Sequence, residues 1–323
     1  MTSEQEQAII TMRKDGLSSR LIAEAVQLPV STVNGLFQRR GIVTGKAPHS
    51  FREQARSNLE PLPPAPAIHQ RFKPEAPSKP RTEVSVFIND VHVPSQDTEA
   101  VRVALNLIAY IKPTTVFLNG DIFDCYQLSR FDKHPRRVLE FQDDLDNLYN
   151  FFVDLRIAAP RATIHYLEGN HERRLVSYVS KNPALFKVQA FEAETLFKLA
   201  NFDIQWHRQE ETFEHHGFIV THGAVVRKHA GASGMGEFDK YTSSGISGHT
   251  HRSGSYVKTT KAGSFIWIEN GCLCDLNPEY MVGSPNWQHA ISVGHFIEGD
   301  NRFAIEQVQI VGHKALYHGM LFD

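Results

Sequence analysis

Residues 162–174 read ATIHYLEGNHERR, and they decide how the larger part of the chain is interpreted. The short apolar run at the start predicts a buried strand. It leads directly into Gly169, Asn170, His171 and Glu172, and a helical pattern follows. Catalytic groups in open α/β sheets collect at the carboxyl ends of strands. These polar residues are therefore candidates for a functional site.

Strands and helices alternate on the N-terminal side of this stretch. We predict strands at 82–90 and 113–121, a helix at 101–111 between them, and a long amphipathic helix at 137–156. This βαβα order predicts an α/β core with parallel strands. Further on, short apolar runs within 213–310 predict strands in meander order, which would form a second sheet packed on the first.

Side chains that bind divalent metals recur at five predicted strand ends. The five clusters are Asp90-x-His92, Gly120-Asp121-x-x-Asp124, Gly169-Asn170-His171-Glu172, His222-Gly223 and Gly248-His249-x-His251. Carboxylate, imidazole and amide oxygen together suit manganese, iron or zinc rather than calcium or a thiolate site. Scattered core and surface histidines would explain any one cluster. Five clusters in order, each after an apolar run, favour a metal site.

The order D-x-H, GD-x-x-D, GNH-E, HG and GH-x-H resembles the full signature of the calcineurin-like metallophosphoesterases, over residues 83 to about 275. The resemblance implies a two-sheet αββα sandwich and a phosphoester hydrolase that depends on two divalent metal ions. It further implies that a hydroxide bridging the two ions attacks phosphorus in line. Manganese is the expected metal, with iron or zinc as alternatives.

The resemblance also assigns the metal ligands. One ion would be held by Asp90, His92, Asp121 and His251. The other ion would be held by Asp121, Asn170, His222 and His249. Asp121 would then bridge the two ions, and the amide ligand would add no negative charge to its ion.

The same resemblance assigns two catalytic residues. His171 would protonate the leaving oxygen as a general acid, and Asp124 would pair with His171 and raise its basicity. A helix N-cap is an equally supported role for Asp124. Arg173 and Arg130 are candidate substrate-binding residues, because guanidinium groups bind phosphate in a bidentate manner. For Arg174, a solvated charge at a helix start is the favoured interpretation.

The composition is that of an ordinary globular protein. The chain has 323 residues, of which 41% are hydrophobic and 22% charged, and this length can bury a full core in more than one domain. No apolar run reaches the roughly 18 residues needed to span a membrane, and the N-terminus lacks a signal-peptide layout. The three cysteines, Cys125, Cys272 and Cys274, form neither a disulfide framework nor a zinc-finger spacing. A cytoplasmic location is predicted.

A basic first part is set apart by a proline-rich stretch. Residues 1–82 carry 12 Lys and Arg against 7 Asp and Glu, whereas the remainder carries 22 against 29. Residues 61–80 contain 7 of the 16 prolines, which predicts extended, semi-rigid chain. We therefore predict a helical domain at 1–45, a linker at 46–82 and a catalytic domain at 83–323.

The first domain has the pattern of three short helices. Ser3, Ser18 or Ser19, and Ser31 are candidate caps, and Gly41 ends the last helix. The stretch GLSSRLIAEAVQLPVSTVNGLFQRRGI is similar to the helix-turn-helix domains of resolvases and many regulators. This resemblance implies DNA contacts from the third helix. Ser31, Thr32, Asn34 and Gln38 would face the major groove, and Arg39 and Arg40 would contact phosphates.

Together these features predict a phosphoesterase that acts on nucleic acid, either as a nuclease or as a DNA-end phosphatase. One alternative is a phosphatase or cyclic-nucleotide phosphodiesterase whose helical domain mediates assembly. A second alternative is a DNA-binding regulator with a degenerate hydrolase domain, and the complete ligand set argues against it. DNA is the expected partner, and no membrane partner is expected.

Overall fold

The structure, a computed structural model, describes residues 1–42, 76–130, 132–133, 140–278 and 283–323. The chain divides into two compact units, Met1–Pro77 and Ser78–Asp323, and each is described by itself. Residues 46–75 of the predicted linker lie outside the described residues, so the predicted domain limits remain predictions. No helix within these ranges is long and apolar enough to cross a membrane.

The first unit contains three helices, α1 (Ser3–Lys14), α2 (Ser19–Ala25) and α3 (Val30–Arg39). Their shared core is formed by six buried residues: Ile9, Ile22, Ala23, Val33, Leu36 and Phe37. The predicted end of α3 is confirmed, because Gly41 adopts a positive φ of 65° and the amide of Ile42 donates to the carbonyl of Phe37 over 2.8 Å.

Two of the three predicted helix starts need correction. Thr2, rather than Ser3, caps α1, and it exchanges hydrogen bonds with Gln5 in a reciprocal capping box. Ser18 caps α2 as predicted. Helix α3 begins after Pro29, which makes no side-chain cap, and Ser31 is already helical. The fixed φ of proline favours a helix start at this point without a capping hydroxyl.

The second unit has a first sheet of eight strands in the order β13-β12-β11-β10-β1-β2-β3-β4. The parallel half is formed by β1 (Thr82–Ile88), β2 (Thr115–Asn119), β3 (Thr163–Leu167) and β4 (Ile204–His207). The antiparallel half is formed by β10 (Ala290–Ile297), β11 (Phe303–Val311), β12 (Lys314–Tyr317) and β13 (Met320–Phe322). The predicted α/β core with parallel strands is confirmed, and β4 is an addition to it.

Helices accompany the parallel strands. They are α4 (Thr98–Ile111), α5 (Phe141–Ala158), α6 (Arg173–Ser180) and α7 (Ala193–Leu196). The first two were predicted and connect β1 to β2 and β2 to β3. Helix α6 begins just after the Asn-His-Glu cluster, as the sequence pattern indicated.

The second sheet has the strand order β5-β6-β7-β9-β8. Its strands are β5 (Phe213–His215), β6 (Phe218–Val220), β7 (Gly245–Ser247), β8 (Ser253–Thr260) and β9 (Gly263–Asn270). The predicted meander order is wrong, because β6, β7 and β9 run parallel. Helix α8 (Ala232–Tyr241) lies between β6 and β7 in sequence and supplies the crossover that parallel neighbours need. Strands β10 and β11 join the first sheet instead.

Successive side chains on β1 and β2 alternate between two hydrophobic cores, one on each face of the first sheet. Phe87 and Phe117 pack with Phe218, Ile246 and other residues of the second sheet. The neighbouring residues on the same strands face the opposite core, which includes α4 and α5: Val86, Ile88, Val116 and Leu118. Successive strand residues point to opposite faces, so this alternation places one sheet on the other and helices outside. The predicted αββα arrangement is confirmed.

Candidate metal centre

The structure brings the seven predicted metal ligands together at one edge of the sandwich. Asp90 and His92 follow β1, Asp121 follows β2, Asn170 follows β3, His222 follows β6, and His249 and His251 follow β7. Five of the seven have a positive φ between 51° and 69°: Asp90, His92, Asp121, His249 and His251. Such left-handed conformations are costly for residues other than glycine and concentrate at functional sites. Each one turns its side chain toward the shared edge.

The first ligand group lies around Asp90. His251 Nε2 is 3.1 Å from Asp90 Oδ1 and 3.1 Å from His92 Nε2. His92 Nε2 is also 3.8 Å from Asp90 Oδ1 and 3.9 Å from Asp121 Oδ2. These four side chains are buried. Atoms of Asp90, His92 and Asp121 lie within 4.8 Å of one another, so one cation could contact all three, and His251 lies beside two of them.

The second ligand group lies around His222. Its Nε2 atom is 3.2 Å from Asp121 Oδ2 and 3.1 Å from Asn170 Oδ1. Atoms of Asp121, His222 and His249 lie within 4.8 Å of one another. Asp121 Oδ2 is thus near histidines of both groups. This is the position that a bridging carboxylate requires.

The donor atoms fit divalent cations. Asp90 Oδ1 is fully buried and accepts no hydrogen bond from any described residue, although His251 Nε2 is close. Leaving a buried carboxylate oxygen unsatisfied is costly, and a cation would satisfy it. Two carboxylates, four imidazoles and an amide oxygen form the mixed oxygen and nitrogen set that manganese, iron and zinc accept.

Burial and the neighbouring charges have opposite effects on the pKa values of residues in this cluster. Burial would raise the pKa of Asp90, but attraction to His251 and His92 holds that pKa well below its usual range. Burial would lower the pKa of His222, but Asp121 and Asp90 raise it to about 10. Protons and divalent cations compete for the same nitrogen atoms, because metal ions bind deprotonated ligands.

Glycines allow the backbone to approach the ligands. A Cβ atom on Gly120, which has a φ of 83°, would lie 2.5 Å from His222 Nδ1. A Cβ on Gly169 would lie 2.2 Å from Asp121 Oδ1, and one on Gly248 would lie 2.4 Å from Asp90 Oδ2. The glycines of the sequence clusters are therefore required by close packing against the ligands.

The two predicted catalytic residues contact each other. His171 Nδ1 lies 2.7 Å from Asp124 Oδ1, and His171 Nε2 lies 3.8 Å from Asp121 Oδ2. The short helical turn Tyr126–Leu128 that follows has Cys125 at its cap position and no side-chain cap, so Asp124 contacts His171 rather than capping this turn. Burial would raise the pKa of Asp124, but hydrogen bonding to His171 and His92 holds it well below its usual range.

The arginines are arranged differently from the prediction. Arg173 forms an ion pair with Glu210 and lies 3.9 Å from Glu168. Arg174 instead contacts the catalytic pair, with Nη1 3.0 Å from Asp124 Oδ1 and Nη2 3.0 Å from His171 Nε2. The solvated role favoured for Arg174 is therefore corrected, since this side chain is mostly buried. Arg130 lies exposed in the loop after β2.

Glu172 is a functional residue that the sequence analysis did not assign. Its Oε1 atom accepts hydrogen bonds from Phe123 N over 2.9 Å and from the Tyr166 hydroxyl over 2.7 Å. Its Oε2 atom accepts from Asp121 N over 3.0 Å and from Gly169 N over 2.9 Å. Glu172 is buried and ties the loop after β2 to the loop after β3. The only sequence signal was its position directly after His171.

The Glu172→Gln variant is expected to be clearly less stable than the wild type. A glutamine amide nitrogen cannot accept hydrogen bonds, so two of the four buried donors lose their acceptor. At about 1–3 kcal/mol for each unsatisfied donor, we expect a loss of roughly 2–6 kcal/mol in the free energy of unfolding. Thermal or denaturant unfolding measures this loss. Glu168→Gln is the matched control, because Glu168 accepts only from Gln209 N among the described contacts. Equal effects of both variants would contradict the role of Glu172.

The predicted DNA-contacting residues lie on and just after α3. Ser31, Gln38, Arg39 and Arg40 are exposed, and Thr32 and Asn34 are half-buried. Arg40 Nη2 lies 3.0 Å from Glu6 Oε2. Residues 31, 34 and 38 share one helix face, because side chains three to four residues apart align. The helix therefore presents a polar face ending in two arginines.

A comparison with known families agrees with this site. The family model described as calcineurin-like phosphoesterase matches residues 85–270, more than half of the chain. The chain therefore belongs to the calcineurin-like phosphoesterases and is a metal-dependent phosphoesterase. The family implies a dinuclear divalent metal centre, and the two groups described above are the candidate ligands for it.

Individual relatives cover most of the chain. The Gene 54 protein of Mycobacterium phage D29 is 26% identical over 257 residues, which cover 74% of this chain and 98% of the phage protein. The Gene 54 protein of Mycobacterium phage L5 is 26% identical over 253 residues, with the same coverage. Among solved structures, vacuolar protein sorting 29 from Cryptosporidium parvum aligns with a TM-score of 0.39 at 12% identity, covering 74% of this chain and 94% of that chain. A dimetal phosphatase from Danio rerio aligns with a TM-score of 0.38 at 13% identity, covering 70% and 95%.

Proposed function

We propose that this phosphoesterase hydrolyses phosphoesters of nucleic acid, either within the strand or at its ends. The proposal that the protein is a hydrolase is supported by the position of Asp121 between two ligand groups, with the His171–Asp124 pair beside it. The proposal that its substrate is nucleic acid is supported by the polar face of α3. Manganese is the proposed metal, and a cytoplasmic location is proposed with it.

The residues that would hold two ions are the seven at the strand ends: Asp90, His92, Asp121, Asn170, His222, His249 and His251. When bound, two divalent ions activate a water molecule near neutral pH and neutralise the phosphoryl oxygens. Asn170 adds no charge to this set. The backbone amide of His171 donates to Asp121 Oδ1 over 2.8 Å, and the amide of His249 donates to Asp90 Oδ2 over 2.8 Å. These hydrogen bonds fix the orientation of both carboxylates.

His171 is the proposed general acid. Asp124 Oδ1 accepts a hydrogen bond from the Nδ1–H group of His171 and so orients the ring with Nε2 toward the metal groups. In the arrangement described here, Arg174 donates to Nε2, which therefore acts as an acceptor. A substrate phosphate that attracts the guanidinium of Arg174 would free Nε2 to take up a proton. His171 can then pass that proton to the leaving oxygen.

Delivery of DNA is the proposed role of the helical unit. A module that binds DNA raises the local concentration of phosphodiester at an attached active site. Arg39 and Arg40 are the proposed phosphate contacts, and Ser31, Thr32, Asn34 and Gln38 are the proposed base contacts. Such binding should weaken as salt rises, with a log–log slope of about −0.9 for each phosphate neutralised. An assembly module would show no such dependence.

Digestion of labelled DNA tests the proposal. End-labelled and internally labelled DNA is treated with the manganese-loaded full chain, and the Asp121→Asn variant controls for contaminating nucleases. Products shortened by whole nucleotides would support a nuclease, and release of terminal phosphate alone would support an end-processing phosphatase. Intact DNA, together with cleavage of aryl or cyclic phosphoesters, would overturn the nucleic-acid substrate and favour the phosphatase or cyclic-nucleotide alternative.

Removing residues 1–77 is expected to separate the two activities. The truncated chain keeps the whole second unit and should hydrolyse a small aryl phosphoester at the wild-type rate. Its DNA binding should be lost, because the proposed contacts lie on and just after α3. Gel-shift titration at several salt concentrations and steady-state kinetics measure both effects. The full-length Arg39→Gln variant is the control for folding, and it should weaken DNA binding alone. Unchanged DNA affinity in the truncated chain would contradict the proposed role of the helices.

A further inference from the structure

A second group of metal-binding side chains lies at the other end of the sandwich. Glu83 is near the start of β1, His215 ends β5, and His216 lies in the turn that leads to β6. Atoms of these three residues lie within 4.8 Å of one another. Asp90, the candidate catalytic ligand that follows the same strand, is seven residues further along, which corresponds to roughly 20 Å. The group is therefore separate from the metal centre described above.

The distances within this group suit a single small cation. Glu83 Oε2 lies 2.9 Å from His216 Nε2 and 3.7 Å from His215 Nε2. Ligands of a tetrahedral zinc ion, with bonds of about 2.0–2.1 Å, are about 3.3 Å apart. The two measured distances bracket that value. Two imidazoles and one carboxylate are a common zinc ligand set, with a fourth position for water.

Aromatic packing holds both imidazole rings in place. The His216 ring stacks on Phe296 with centroids 5.7 Å apart at 22°. The His215 ring meets Phe296 edge-on at 4.7 Å and Phe117 edge-on at 5.1 Å. Rings fixed in this way lose little freedom when they bind an ion. The side chains of the three ligands remain 13–32% exposed, so an ion can enter from solvent.

His215 Nε2 has a further polar neighbour. The Ser85 hydroxyl lies 3.1 Å from His215 Nε2 and is the neighbouring oxygen. Because a hydroxyl can rotate, it does not block the nitrogen from a cation.

We propose that Glu83, His215 and His216 form a third divalent-cation site, with zinc as the ion that the ligand set fits best. Glu83 belongs to the first sheet, and the two histidines belong to the hairpin at the edge of the second sheet. An ion at this position joins the two sheets at the end remote from catalysis. The site lies away from the catalytic groups, so its loss leaves the chemistry of phosphoester cleavage unchanged.

Counting ions per chain tests this site. The full chain is saturated with zinc, separated from free zinc, and analysed by elemental mass spectrometry. Wild type is expected to hold one more zinc ion per chain than the His215→Gln/His216→Asn double variant. Asparagine is chosen for position 216 because it tolerates the positive φ of 50° found there. Manganese-dependent hydrolysis of an aryl phosphoester should be equal in both proteins.

Matched controls distinguish a defined metal site from non-specific binding of zinc to surface histidines. The exposed His313 and His318 also lie near carboxylates, and the His313→Gln/His318→Gln variant should keep the full zinc content. Glu83→Gln is a second test if the histidine variant folds poorly, and it should also lose one ion. Equal zinc content in wild type and the folded site variants would overturn the proposal, as would an equal loss in the surface control. The readout is a difference between variants, so it does not depend on the substrate of the enzyme.

Discussion

The Asp121→Asn variant is expected to lose at least about a thousandfold in turnover, because it removes the carboxylate shared by both ligand groups. Charge stabilisation by metal ions contributes several kcal/mol to the transition state, and each 1.36 kcal/mol corresponds to a tenfold change in rate. The substitution keeps the shape of the side chain. Metal content is therefore expected to fall without gross unfolding. Elemental analysis and steady-state kinetics on an aryl phosphoester measure the two losses together.

The control for Asp121 is a carboxylate on the same unit but away from the metal centre. Asp154 lies exposed on α5, and Asp154→Asn should keep both metal content and turnover. Circular dichroism establishes that the variants remain folded. An Asp121→Asn protein with normal metal content and normal turnover would remove the bridging role from this residue.

The His171→Gln variant should lose about 10²–10⁴-fold in turnover on substrates with poor leaving groups, the usual contribution of a general acid. The loss should be much smaller for a nitrophenyl ester, because its leaving oxygen needs little protonation. His171 Nε2 lies 3.8 Å from Asp121 Oδ2, but the ring is held by Asp124 and Arg174. Metal content should therefore remain at the wild-type level. Kinetics on a pair of esters with different leaving groups measure this dependence.

The matched control for His171 is an exposed histidine outside the site, such as His229. His229→Gln should leave both esters unaffected. Loss of metal in His171→Gln would show that this residue is a ligand instead of an acid. Equal losses on both esters would also contradict the acid role.

The clustering of the candidate metal ligands was predictable because its signals are local. Each ligand follows an apolar run that had to be a buried strand, and parallel strands end at a common edge. Asp121 and Asn170 could therefore be placed near each other from sequence spacing alone. Gly120 and Gly169 lie beside these two residues in the sequence clusters, and glycine is the residue that allows the backbone to approach another side chain so closely.

Contacts between segments that are distant in sequence could not be predicted in the same way. A run of short strands does not reveal whether β6, β7 and β9 pair in parallel, since that depends on α8 crossing over the sheet. Neighbouring charges posed a similar problem. Arg173 and Arg174 look equivalent in sequence, but the helix turns one toward Glu210 and the other toward Asp124. The role of Glu172 was missed because most of its hydrogen-bond donors are backbone amides. Nearly every residue carries such an amide, so the sequence does not indicate which ones Glu172 contacts.

The division of the metal ligands between two sheets has a consequence for the order of folding. The first sheet contributes Asp90, His92, Asp121 and Asn170, and the second contributes His222, His249 and His251. During synthesis from the N-terminus, neither ligand group is complete until residues 249–251 have left the ribosome. Each group takes ligands from both sheets, so neither can be complete before the two sheets have docked. A cation held by all the ligands of a group would therefore report that the sheets have docked.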